Sequence, residues 1–65
     1  MPPRFAEEVQ EYIRVNGAST LSGLAHYLSK WGADEEDLRM ALEWLVRERK
    51  VVLEPGQIER YRLVE

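Results

Sequence analysis

Residues 20–49 read TLSGLAHYLSKWGADEEDLRMALEWLVRER, and that stretch spells out two amphipathic helices with a sharp joint between them. Leu21, Leu24, Ala25 and Leu28 recur at the intervals that line one face of a helix. Thr20 stands where its hydroxyl can accept from the free backbone amides of the first turn. Gly23 occupies the place of the acidic residue that would complete a capping box, so this helix begins weakly. Trp31-Gly32 closes it, and Ala33 is the single apolar residue of the joint. Asp34 then caps the next helix, with Asp37 closing an acidic capping box. Leu38, Ala41, Leu42, Leu45 and Val46 form its core stripe, which predicts a helix running to about Arg49. The carboxylates of residues 34–37 crowd its start and Arg47, Arg49 and Lys50 crowd its end, the arrangement the helix dipole favours.

Upstream, Phe5, Val9, Tyr12 and Ile13 make one apolar stripe at helical period, with Glu7, Glu8, Glu11 and Arg14 opposite, so residues 5–16 read as a covering helix. Pro2 and Pro3 precede it harmlessly, and Gly17 supplies the left-handed residue with which helices prefer to end. Ala18 to Thr20 has room only for a bridge or a very short strand. Downstream, Val51 to Glu54 has strand character, Glu54-Pro55-Gly56-Gln57 has Pro and Gly in the positions of a type II turn, and Ile58 to Val64 returns as a second strand. In it Tyr61 and Leu63 are the inward pair, sharing a side with Glu59 and Glu65; Ile58, Arg60, Arg62 and Val64 face away. Strand, short turn and strand make a hairpin.

The chain has 65 residues, 9 Lys+Arg against 12 Asp+Glu, a net charge of −3 and no cysteine. That length holds one domain, residues 1–65. No apolar run approaches a membrane span and the N-terminus has no hydrophobic signal core, so the expected setting is cytoplasmic, away from membranes. Without cysteine there is no disulfide framework, thiolate metal site or cysteine nucleophile. No phosphate loop, nucleophile elbow or inward carboxylate pair is present, and a chain this small has little room for a substrate cleft. The expectation is therefore no enzyme, no cofactor, no metal and no small-molecule substrate. His26 lies on the polar side of its helix with Ser22 and Lys30 and reads as a solvated surface histidine.

Three stretches carry a resemblance: VQEYIRVNGASTLSGLAHYL, WGADEEDLRMALEWLVRERKVVLEPG and IERYRL. In this order and spacing they resemble the winged helix-turn-helix superfamily over nearly the whole chain. The matching positions are mostly core and cap residues, so no subfamily is implied. The resemblance implies an α+β fold, mostly α: a three-helix helix-turn-helix core with a C-terminal two-stranded wing. It also implies that the helix of residues 34–49 is the recognition helix and residues 51–64 the wing. Domains of this kind mostly bind double-stranded DNA, and a sizeable minority are protein-interaction modules.

The exposed residues leave both roles open. Opposite the core stripe, residues 34–49 present Glu36, Arg39, Met40, Glu43 and Arg47, followed by Lys50. Arg39 or Arg47 could fork onto guanine and Glu43 could accept from cytosine, each good bidentate pair being worth about 1–3 kcal/mol of discrimination. The competing reading is a ladder of i, i+4 pairs, Glu35–Arg39, Arg39–Glu43 and Glu43–Arg47. The acidic helix start would repel phosphate, so a DNA contact is expected at Arg47, Arg49, Lys50, Arg60 and Arg62, near the wing. The negative excess itself resides in residues 34–37 and has a capping role there. The second candidate surface is a protein interface built from Met40, Trp44, Trp31 and Tyr27, used for dimerisation or for docking a basic partner against the acidic helix start. The tryptophans also read as lids on a small core.

Overall fold

A computed structural model describes residues 1–64. Helix α1 spans Ala6–Asn16, α2 Leu21–Leu28 and α3 Glu35–Arg47; strands β1 (Val51–Glu54) and β2 (Arg60–Leu63) form an antiparallel hairpin. The fold is α+β and mostly α, three helices followed by a two-stranded hairpin, a layout compatible with a winged helix. None of these helices is long and apolar enough to cross a membrane.

The core forms where the helical stripes meet. Val9 and Ile13 of α1, Leu24 and Leu28 of α2, and Leu38, Ala41, Leu42 and Leu45 of α3 are buried together with Ala6, Ala33 and Val51. Phe5, Tyr12, Leu21, Ala25, Trp44, Tyr61 and Leu63 close around them, half-buried. No side chain in the core is polar or charged among the described residues, so the packing owes its stability to apolar burial.

The predicted caps form. Thr20 Oγ1 accepts from the Gly23 amide at 3.0 Å. Asp34 Oδ1 accepts from the Asp37 amide at 2.8 Å while Asp37 Oδ2 accepts from the Asp34 amide at 3.1 Å, a complete capping box. A 3-10 turn, Ser29–Trp31, and Gly32 in the left-handed region (φ 87, ψ 12) bend the chain from α2 into α3. Ala18 to Thr20 does form a bridge: the Ser19 amide donates to the Tyr61 carbonyl at 2.9 Å, and the Tyr61 amide returns the bond at 2.8 Å. This bridge lies on β2, which therefore has a partner on each side, whereas among the described residues β1 pairs with β2 alone.

Local readings change in four places. Phe5 stands outside α1 as its N-cap residue, with φ 68, although its ring still packs on the core. Helix α3 ends at Arg47, before Arg49, because Arg49 turns left-handed (φ 62). The Lys50 amide then reaches the Leu45 carbonyl and the Arg49 amide reaches that of Val46, the Schellman pattern with arginine in place of glycine. Val46 is exposed rather than core, and Trp44 packs at the edge instead: each flanks the stripe by about 90–120° at 100° per residue, and only the longer side chain reaches back to the interior. The hairpin loop is longer than a type II turn. The register pairs Glu54 with Arg60, and Gly56 does not take the positive φ that such a turn requires, so Ile58 lies in the loop, exposed. Glu65, assigned by the alternation to the inward side, lies outside the described residues.

Candidate functional site

Two surfaces collect the candidate residues. The first runs along the outer side of α3 to the hairpin. Arg39, Met40, Glu43 and Arg47 are all exposed there, with Glu35 and Glu36 at the helix start and Lys50 beyond its end. Of the expected charge ladder only Glu35–Arg39 forms, at 3.3 Å; Arg39–Glu43 and Glu43–Arg47 are not ion pairs. Among the described residues Arg47, Arg49, Lys50 and Arg60 have no carboxylate within ion-pair distance. Lys50 instead places its ammonium 5.4 Å from the centre of the Trp44 ring.

The hairpin divides its own arginines from those of α3. Strand alternation puts Val51, Leu53, Tyr61 and Leu63 on one face and Val52, Glu54, Arg60 and Arg62 on the other. Arg47 lies on the Leu53–Tyr61 side, lining with Leu42, Glu43 and Val46 an open groove of about 390 Å³ between α3 and the sheet. Arg60 and Arg62 therefore occupy the opposite face. Arg62 is engaged there, its Nε donating to Glu54 Oε2 and its terminal nitrogen to the Leu63 carbonyl at 3.3 Å. It also borders a shallow depression with Arg14, Gly17 and Ala18 at the end of α1. Among the described residues, the cations of this surface without an ion pair are therefore Arg47, Arg49 and Lys50 at the end of α3, while Arg60, also unpaired, lies on the far face of the hairpin.

At the groove the Tyr61 phenol is held above its ordinary value of 10.0. Burial is the main cause, the Glu59 carboxylate adds to it, Arg39 opposes it and Glu43 adds a smaller push. Tyr61 is thus a core-edge residue that senses the charges of the α3 outer face.

The second surface lies on α1, α2 and the Ser29–Trp31 turn. Tyr12 and Tyr27 approach with ring centroids 4.5 Å apart, and Tyr27 meets Trp31 edge-on at 5.3 Å. Lys30 caps both outer rings, 4.3 Å from that of Tyr27 and 4.6 Å from that of Trp31. Trp31 is 54% exposed and Val15 71%. Tyr12, Val15, Tyr27 and Trp31 line, with Glu8, Glu11, Asn16 and Leu28, a groove of about 190 Å³. The structure therefore separates Tyr27 and Trp31 from Met40 and Trp44. Trp44 is half-buried against the core, while Met40 is 53% exposed on α3. Tyr12 and Val15 were not legible as part of a surface: Tyr12 fits the core stripe, and Val15 stands alone beside charged neighbours. Their signal is the match between positions 12 and 15 on α1 and positions 27 on α2 and 31 in the turn after it, which becomes visible only once these elements are docked.

Among the described residues no group of three or more His, Asp or Glu side chains is placed to hold a metal ion. No family model matches the chain, and neither a curated protein nor a solved structure is significantly similar to it.

Proposed function

We propose that the domain is a winged-helix DNA-binding module of the transcription-regulator type, working in the cytoplasm on double-stranded DNA. The observation that carries this reading is the cluster at the end of α3: Arg47, Arg49 and Lys50, without carboxylate partners among the described residues, beside a hairpin that follows the helix directly. The layout adds support by analogy, since α2, a tight joint and α3 backed by a hairpin on a three-helix core is the winged-helix arrangement. In the proposed mode α3 lies in the major groove by its C-terminal half. Arg47 and Glu43 face base edges, Arg49, Lys50 and Arg60 hold phosphates, and Glu35 keeps Arg39 occupied at the acidic start. Arg62 contributes less than Arg60, because binding phosphate would mean leaving Glu54.

Fluorescence anisotropy with a labelled duplex tests this. Binding should be measurable at low salt and fall steeply as salt rises, with Lys50→Ala and Arg60→Ala each lowering the logarithmic salt slope by about one. Absence of binding at low salt would sink the reading.

The exposed Met40, on the same side of α3 as Glu36 and Glu43, favours a second role: docking a basic protein partner through that face. Trp44 would join only at the rim, since it is half-buried. Here anisotropy shows no duplex binding, and Met40→Glu disrupts capture of the partner.

A further inference from the structure

We propose that the aromatic face formed by α1, α2 and the Ser29–Trp31 turn is a two-fold homodimer interface, with the exposed Trp31 as an anchor and Glu8 paired with Lys30 of the second copy. The proposal stands independently of DNA binding. A ring cluster of Tyr12, Tyr27 and Trp31, the first pair tilted and the second edge-to-face, forms with Val15 an apolar surface of the composition that interface centres favour, Val15 being 71% and Trp31 54% exposed.

Charge selects the occupant. The α1 border of the groove is acidic, Glu8 and Glu11, and on the α2 side Lys30, in the turn that continues α2, lies over the Tyr27 and Trp31 rings beside the groove. Glu11 is already held by Arg14 at 2.9 Å, whereas Glu8 and Lys30 have no oppositely charged partner among the described residues. A two-fold axis through the Tyr12–Tyr27 contact carries the α1 border of one copy onto the α2 border of the other. Each Glu8 then meets the partner's Lys30, twice per dimer, and the rings pack across the axis. A surface with one acidic and one basic edge about an apolar centre is self-complementary under that operation.

The area sets the strength. A standard interface takes about 800 Å² from each partner, roughly a sixth of the 4722 Å² this small chain exposes. An interface at or below that size should give a reversible dimer, dissociating within the micromolar range.

Sedimentation velocity across concentrations spanning that range is the test. The wild-type chain should pass from monomer to dimer, and Trp31→Ser should weaken the dimer at least about tenfold with an unchanged circular dichroism spectrum at concentrations where both chains are monomeric. Glu8→Lys and Lys30→Glu should each be monomeric alone, because like charges then face each other across both contacts. Mixed in equal amounts the two variants should form heterodimers, since each contact again joins opposite charges. A wild-type chain that stays monomeric at the highest concentration, or variants that fail to associate on mixing, would overturn the proposal. Duplex binding by a strictly monomeric chain would overturn the dimer while leaving the DNA reading intact.

Discussion

Arg49 leaves α3 through the left-handed region, at φ 62, where an L side chain costs about 1–2 kcal/mol. Arg49→Gly removes that cost and adds some flexibility to the unfolded chain, about 0.5–1 kcal/mol in the other direction. The expected net result is a gain of a few tenths to about 1 kcal/mol, read as a higher urea midpoint at unchanged slope. If Arg49 also holds a phosphate, the stabilised variant should bind duplex less tightly, which would account for an arginine at a glycine position. Gly17 predicts the opposite effect. At φ 85 and ψ −168 it occupies a region nearly confined to glycine, and a Cβ there meets nothing within 4 Å. Gly17→Ala should therefore cost about 1–3 kcal/mol through backbone strain alone, measured by the same urea titration. The role of Gly17 as a helix stop was legible from its place after an amphipathic stripe. That of Arg49 was not, because nothing in an arginine marks it as the residue that turns left-handed.

Among the elements, α3 has the best-defined boundary and the most buried residues. Its capping box satisfies two backbone donors at once, and Asp34→Ala should cost about 1 kcal/mol in the same titration, within the 0.5–2 kcal/mol range of lost caps. The hairpin is held differently. Beyond its own ladder it is tied to the helical body by the reciprocal Ser19–Tyr61 pair. Ser19→Pro deletes the amide that donates to the Tyr61 carbonyl and leaves only the bond from the Tyr61 amide to the residue 19 carbonyl, so the halved bridge should open more often and the Tyr61 amide should exchange faster while the α3 amides keep their protection. The helices were legible because their stripes and caps agree on the same boundaries. The loop was less so: Pro55-Gly56 satisfies the local chemistry of a type II turn, yet the Glu54–Arg60 register is set by where Tyr61 and Leu63 must pack, and that is decided by distant parts of the chain.

At the scale of the whole molecule the distribution of charge matters more than its total. The acidic start of α3 was legible as a cap, and its basic end as a candidate contact. The alternation of β2 already turned Arg60 and Arg62 away from Tyr61 and Leu63, but that Arg47 lies on the Tyr61 side was not legible, because it depends on how the hairpin docks against α3. Tyr61 joins these parts, lying on β2, bonded to the Ser19 bridge and lining the groove against α3. Its phenol is raised from 10.0 in the folded chain by burial first, so the unfolded chain loses this proton at lower pH than the folded one. The folded state therefore binds more protons through that window. The stabilisation from keeping Tyr61 neutral is complete below the unfolded value and is lost as pH rises from about 10 through the higher folded value. Urea titrations over a series of alkaline pH values should show the wild-type chain losing stability more steeply than Tyr61→Phe, which lacks the ionising hydroxyl. Coincident slopes would mean that the groove does not desolvate the phenol and that α3 and the hairpin pack less closely at Tyr61 than the geometry describes.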